Sequence, residues 1–405
     1  MTQKSSDPDA ADLTWRRSFE ADPVPEEELW FLPGPAEDVD CDPLAPPLPR
    51  ADRRRAFVPV AWRTAQGDLA AELAQVATLF GALEERLRRL GQGARQRLAL
   101  LEAAELSWHS GDRVAPDRLG MWVSLRLSNP QDEAQALSRA AWAVRRLSGG
   151  PGPEADLAAF LGRHDPAKTA GLGPAFGKPP SDLAGRLADW QEAMAEADGL
   201  HPIVGAALGF HLWQLGEISG SGAAADLEAA VVAARLAARA GVRRGPAQPA
   251  NFKGVRGSPA QPANAPGERL SPERAEPRDY MGGALFLPLA LAGPGALRRG
   301  GEATAILGRW LAGAEASCLA ALLSLERLEA WRCRAEAATV GWSGRTPAQL
   351  IAVLADWPLV SAAMAETETG ASRAAAQRNL DLLSEAGLIR EVTGQGRFRL
   401  WTAKL

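Results

Sequence analysis

The sequence predicts a mainly α-helical protein in which a helical bundle is followed by a C-terminal winged helix-turn-helix. Apolar residues recur at the 3.6-residue helical spacing, most clearly from Asp68 to Leu90. Residues 341–405 have the pattern of three short helices followed by a two-stranded hairpin. A chain of 405 residues exceeds one ordinary domain, so we expect two folded units together with less ordered segments.

Composition divides the chain into successive parts. Residues 1–55 are acidic and proline-rich, and they cannot bury enough apolar surface to offset the entropy lost on ordering, so we expect a disordered arm. Residues 56–340 are predicted to form an all-helical domain. Within it, residues 245–279 carry the hexapeptide Pro-Ala-Gln-Pro-Ala-Asn twice, a proline density that predicts a disordered insertion. Residues 341–405 form the predicted winged helix-turn-helix.

Helical spacing also gives approximate positions for the individual helices of the second part. They are expected at residues 68–90, 93–109, 131–147, 181–197, 201–215, 224–241 and 302–338.

The C-terminal elements follow from capping residues and glycines. Ser361 and Ser372 are candidate N-caps, and Gly370 provides the tight turn between the two helices that they begin. Gly387 ends the last helix, and a Thr-Gly-Gln-Gly turn separates two short strands. The predicted elements are helices 347–357, 361–368 and 372–386, then strands 388–392 and 397–401.

The last of these helices has the two faces of a groove-reading helix. Its positions 376, 380 and 383 are apolar and are expected to face a core, whereas Arg373, Gln377 and Arg378 lie on the opposite side. Two arginines of the second strand are two positions apart and are expected to share one face, from which they reach phosphates. The predicted contacts to double-stranded DNA are Ser372, Arg373, Gln377, Arg378, Arg397 and Arg399.

The charge balance of residues 346–405 leaves a second interpretation open. Acidic and basic residues are equally frequent there, which is typical of a winged helix that binds protein. The whole chain has a formal net charge of −4, which argues against a protein that coats nucleic acid through bulk electrostatics. Any DNA binding must therefore depend on a small basic surface rather than on the overall charge of the chain.

Metal and cofactor sites are not indicated. The cysteines Cys41, Cys318 and Cys333 form no C-x-x-C pair, and the four histidines show no i,i+4 pair. Residues 171–178 have the wrong spacing for a phosphate-binding loop. The sequence also lacks an apolar N-terminal signal and an uninterrupted apolar span, so we expect a cytoplasmic protein without a membrane partner.

Five stretches carry a resemblance to a family of bacterial proteins of unknown function, common on α-proteobacterial replicons. They are residues 106–111, 114–119, 201–213, 358–361 and 388–401, and the last of them is the most specific. Members of that family carry a helical domain followed by a helix-turn-helix. The resemblance implies a transcriptional or replicon-maintenance regulator whose helical domain senses a signal or dimerises. Two-fold DNA sites would imply a homodimer, with the long helix at 302–338 as its interface.

More distantly, the layout is similar to Fic-domain proteins that end in a winged helix. Ser107 and Gly111 match a first motif of those proteins, with Ser110 in place of its glutamate. Of the nucleotide-binding loop only His201-Pro202 remains, without the acid, asparagine and arginine that follow in Fic proteins. The resemblance therefore implies a degenerate catalytic motif in which His201 begins a helix. A Fic-like nucleotidyl transferase is the alternative, testable by label transfer from a nucleotide and its loss in His201→Ala.

Overall fold

The computed structural model describes residues 58–125, 131–162, 182–220, 222–238, 286–394 and 399–405. These residues belong to one compact unit, Arg53–Leu405. The predicted arm at 1–55, the predicted insertion at 245–279 and Arg397 lie outside the described residues.

Helices dominate the described part of the chain and confirm the mainly α fold. They are α1 (Pro59–Asp68), α2 (Ala70–Leu90), α3 (Gln92–Ser110), α4 (Pro116–Leu125), α5 (Gln131–Ser148), α6 (Leu157–Leu161), α7 (Leu183–Glu196), α8 (Pro202–Leu215), α9 (Ala223–Ala237), α10 (Ala303–Ala338), α11 (Thr346–Asp356), α12 (Ala362–Thr369) and α13 (Arg373–Glu385). The strands are β1 (Val360–Ser361), β2 (Ile389–Glu391) and β3 (Leu400–Ala403).

Three of these helices were not predicted, and their first residues explain two of the omissions. Helices α1 and α4 each begin at a proline, a residue that suggests a loop in the sequence. Proline is nevertheless favoured in the first helical turn, because an N–H at that position would have no partner within the helix. Helix α6 is only five residues long, too short for a periodic pattern. Its N-cap is Asp156, which accepts a hydrogen bond of 2.9 Å from the Ala159 amide.

The long helix α10 forms the spine of the core and packs against α1 and α2. Its residues Trp310 and Trp331 are completely buried. Helices α8 and α9 pack against each other, and α9 is buried on nearly all sides. That burial explains why α9 is rich in alanine and lacks a single apolar stripe.

Among the described residues, α10 is the one helix long and apolar enough to cross a membrane by length and composition. The core helix of a folded domain has the same composition, and here Leu307, Leu311, Ala314 and Cys318 are buried by neighbouring helices. The expected absence of a membrane partner stays a prediction.

A buried carboxyl group fixes the segment that leads into α10. Glu102 of α3 is completely buried, and its Oε1 accepts hydrogen bonds from the amides of Leu289 (2.7 Å) and Ala290 (3.0 Å). Burial raises the pKa of Glu102 to about 7, although these amides oppose the shift. The folded state therefore holds the proton more tightly than the unfolded state does.

The raised pKa predicts a pH-dependent stability. A carboxyl group of this kind favours folding below its unfolded pKa of 4.5, and the contribution is lost as the pH rises through about 7. Relative to wild type, Glu102→Gln should therefore gain on the order of 3 kcal/mol of unfolding free energy between pH 4.5 and about pH 8. Urea denaturation at both pH values measures this change. The exposed Glu326→Gln is the control, and a pH-independent difference for Glu102→Gln would contradict the assignment.

The C-terminal elements pack directly against the helical body. The buried Arg97 of α3 donates hydrogen bonds to the carbonyl oxygens of Leu354 (2.8 Å) and Trp357 (3.0 Å), at the end of α11. Gly93 lies so close to Asp356 that a Cβ atom would collide with the backbone there. Trp331 of α10 donates to the carbonyl oxygen of Leu388 at 2.7 Å. These contacts cross the predicted boundary at residues 340/341, so we expect the C-terminal segment to need the helical body for full stability.

Candidate nucleic-acid interface

Helices α12 and α13 form the helix-turn-helix, and both predicted capping residues are in place. The Ser361 side chain accepts a hydrogen bond from the Met364 amide at 3.1 Å, and the Ser372 side chain accepts one from the Ala375 amide at 3.3 Å. Gly370 between them has a φ of 64°, a left-handed conformation that glycine adopts without strain. The turn and both helix starts are therefore defined by the residues identified from sequence.

The inner face of α13 is anchored in the core of the C-terminal part. Ala376, Leu380 and Leu383 are each 0% exposed, which confirms the predicted core face. The opposite face is turned to solvent. A helix fixed on one side in this way can present its other side to a groove without reorganisation.

Two arginines of α13 are exposed to solvent, Arg373 at the first turn and Arg378 on the side opposite the buried residues. Arg378 is exposed, and no hydrogen bond or ion pair engages it within the described part of the chain. Arg373 is also exposed, and its nearest carboxylate oxygen, on Glu366, is 3.9 Å away. A surface ion pair of this length contributes little, so Arg373 is free to leave it for a phosphate or a base.

Two further predicted contacts, Gln377 of α13 and Arg399 of the wing, are held by one carboxylate, that of Asp381. Gln377 Nε2 donates to both Asp381 oxygens, at 3.0 and 3.1 Å. Arg399 Nη1 lies 3.3 Å from Asp381 Oδ1, and the guanidinium stacks over Trp401 with 4.9 Å to the ring centroid. In the free protein, therefore, Asp381 links the recognition helix to the wing.

The wing is an antiparallel hairpin of β2 and β3 in a three-stranded sheet of order β1-β3-β2. Strand β1, which was not predicted, pairs with β3 through Val360 opposite Trp401. The Glu391 carboxylate accepts hydrogen bonds from the amides of Thr393 and Gly394, both at 2.9 Å. The hydrogen bond from the Thr393 hydroxyl is the main cause of its lowered pKa. The first part of the wing turn is thus fixed, whereas Arg397 lies beyond the described residues.

Asp381 is the residue of this interface that sequence reasoning missed. Its spacing of four from Gln377 was a usable signal, because residues i and i+4 are neighbours on a helix surface. The pairing with Arg399 spans eighteen positions and follows from the tertiary fold.

Residues 348–403 match the family model described as an HTH DNA binding domain. The protein carries a helix-turn-helix DNA-binding domain at its C-terminal end. The match begins within α11 and ends at the last residue of β3, so it spans the helix-turn-helix and the wing together. A comparison with curated proteins finds no significant match.

The residues of the Fic-like motif occupy ordinary helical positions. The Ser107 hydroxyl is buried and donates to the carbonyl oxygen of Ala103 at 2.7 Å, and the Ser110 hydroxyl donates to that of Leu106 at 2.8 Å. His201 is the N-cap of α8, where its Nδ1 accepts from the Ile203 amide at 3.3 Å. The expectation that His201 begins a helix is confirmed, and the transferase hypothesis stays a prediction.

Proposed function

We propose that the protein is a sequence-specific DNA-binding regulator that inserts α13 into the major groove. The observation that carries the proposal is that Arg373, at the first turn, and Arg378, opposite the buried Ala376 and Leu380, are both exposed on a helix whose inner face is completely buried. Arginine donates two parallel hydrogen bonds to guanine and also pairs with phosphate. Both chemistries suit the first two turns of a recognition helix.

The remaining predicted contacts take secondary roles in this proposal. Ser372 caps α13 and leaves its first amides directed at the DNA backbone. When DNA binds, Gln377 and Arg399 either leave Asp381 and contact the DNA, or keep their contacts with Asp381 and hold the wing in place. Arg397 is proposed as a phosphate contact because of its position on the wing.

Selection from random duplexes tests the proposal. The full chain, in which the helical body supports the C-terminal elements, is mixed with a pool of random double-stranded DNA at physiological salt, and the retained duplexes are sequenced. We expect enrichment of a short motif. Retention of duplexes that share no motif would contradict sequence-specific binding, and so would a failure to retain any duplex even at low salt.

We also propose that the chain dimerises through α10, because a dimer matches the two halves of a two-fold symmetric DNA site. Leu319 and Leu323 are 48% and 47% exposed and lie one turn apart on α10. Ala312 and Ala316 are exposed at the preceding positions, and this spacing of four, three and four places all of them along one seam. Small residues followed by leucines along such a seam allow a second copy of the helix to pack closely.

Charged residues on this seam should separate the dimer. Each leucine buried at an interface contributes about 2 kcal/mol, so Leu319→Glu with Leu323→Glu should shift a dimer to a monomer at micromolar concentration. Size-exclusion chromatography with light scattering measures the mass. Val340→Glu, at a residue 84% exposed beyond the end of α10, is the matched control. A monomeric wild type, or a variant that remains dimeric, would rule out this interface.

One feature of α13 favours a second candidate, a protein-interaction adaptor that binds a partner protein through its winged helix. Leu382 is 46% exposed and lies beside the acidic Asp381 and Glu385, which suit a protein surface better than a phosphate backbone. An adaptor would retain no DNA in the selection. The role in transcription or replicon maintenance and the cytoplasmic location are further proposals that follow the resemblance of the sequence.

A further inference from the structure

A cavity of about 720 Å³ lies where α1, α8 and the beginning of α10 meet. Sites for small molecules typically measure about 300–1,000 Å³, so this cavity is large enough for a ligand. One side of it is apolar and consists of Trp62, Leu208, Leu212, Leu215 and Ile306.

The other side of the cavity is the N-terminus of α10, a helix of 36 residues. Glu302 is its N-cap, but the Glu302 side chain makes no capping hydrogen bond. The first amides of a helix have no intrahelical partners and carry a partial positive charge. Gly300 and Gly301, with φ of 86° and 107°, lead the chain into this position.

Two guanidinium groups add positive charge at this end. Arg299 lines the cavity, and its guanidinium pairs with Asp226 while the side chain remains 59% exposed. Arg309, two turns into α10, donates to the carbonyl oxygen of Gly300 and lies against Gly301. The Glu302 carboxylate is the acidic group that lines the cavity and opposes them.

A buried histidine in the wall of the cavity lacks a partner. His211 of α8 is 8% exposed, and its Nε2 is buried without a hydrogen-bond partner among the described residues. Burial, followed by the charges of Arg309 and Arg299, lowers the pKa of His211 to about 4, so the imidazole is neutral at pH 7. A buried polar atom without a partner costs free energy. His211 lines the cavity, so a turn of its side chain would bring this atom to a polar group of a ligand.

We propose that this cavity binds a small amphipathic anion, a carboxylate or phosphate monoester with a compact apolar tail. The anionic group lies at the N-terminus of α10 beside Arg299, and the tail packs against Trp62 and Leu212. A polar group near the head of the ligand pairs with His211. The proposal concerns the helical body alone and does not rest on DNA binding.

Calorimetric titration of the full chain with octanoate and with octyl phosphate tests the proposal, and octanol is the neutral control. We expect at least one of the anions to bind at least about tenfold more tightly than octanol, and the stronger of the two identifies the preferred head group. Arg299→Gln should weaken binding of that anion about threefold or more, whereas Glu302→Gln should strengthen it about two- to fivefold. Trp62→Ala should weaken the binding of the anions and of octanol to a similar degree, because it removes part of the apolar wall.

The neighbouring Arg298→Gln is the matched control, since Arg298 is exposed and does not line the cavity. A thermal melt of each variant confirms that it is folded. Equal binding of octanol and the anions, or equal affinities for Arg299→Gln and Arg298→Gln, would overturn the anionic assignment. Absence of binding by octanoate and octyl phosphate at about 10 mM, and by octanol up to its solubility limit, would overturn the site itself.

Discussion

Replacement of Arg378 by alanine is expected to lower the affinity of the full chain for its selected duplex about ten- to hundredfold. Arg378 lies on the solvent face of α13, opposite the buried Ala376 and Leu380, so its side chain can reach a base edge. A bidentate contact between arginine and guanine contributes about 1–3 kcal/mol of discrimination. Because the side chain is exposed and makes no intramolecular bond in the described part of the chain, the fold should be unchanged.

Fluorescence anisotropy with the selected duplex and a scrambled duplex measures this loss. If Arg378 reads a base, the loss is larger on the selected duplex. If Arg378 contacts a phosphate, the loss is similar on both duplexes. The slope of log binding constant against log salt concentration then becomes less steep by about one unit. Arg298→Ala removes the same charge from an exposed site in the helical body and should have little effect. Equal affinities of Arg378→Ala and Arg298→Ala would exclude Arg378 from the interface.

Replacement of Trp331 by alanine should lower the free energy of unfolding by about 3–5 kcal/mol. Trp331 is completely buried, and its indole N–H donates to the carbonyl oxygen of Leu388 just before β2. The change therefore removes core packing and a link between α10 and the DNA-binding elements. We expect Trp331→Ala to lose DNA affinity at temperatures where wild type remains folded.

Two further variants separate packing from the hydrogen bond. Trp331→Phe keeps most of the apolar contact, and the Leu388 carbonyl still accepts from the Lys404 amide at 3.0 Å, so a cost of about 1 kcal/mol is expected. Trp108→Ala changes a tryptophan that is 52% exposed and should cost little. Urea denaturation gives the free energy of unfolding of the three variants. A similar loss of unfolding free energy for Trp331→Ala and Trp108→Ala would contradict the role of Trp331.

Local signals in the sequence were sufficient to place the helix-turn-helix. Ser361 and Ser372 cap their helices, and Gly370 turns between them, because each of these functions depends on the residue and its nearest neighbours. The apolar spacing of residues 302–338 predicted α10 for the same reason, and its apolar positions Leu307, Leu311 and Cys318 are buried.

The features that were missed depend on residues far apart in the chain. The pair of Arg399 with Asp381 joins the wing to α13, and β1 exists only because Val360 meets Trp401 of β3. The cavity brings Trp62, His211 and Arg299 together from three separate segments. No local pattern marks such sites, since the partners become neighbours only after the helices pack.

Site-directed cleavage of DNA from α13 tests the central claim most directly. A DNA-cleaving iron chelate is attached to Ala374→Cys, on the exposed face of α13, in a chain whose Cys41 and Cys333 are replaced by serine and whose Cys318 stays buried. We expect cuts confined to the selected motif, and none from a chelate at the exposed Ala195→Cys of α7. Cuts from Ala195→Cys but not from Ala374→Cys would show that another surface of the protein faces the DNA.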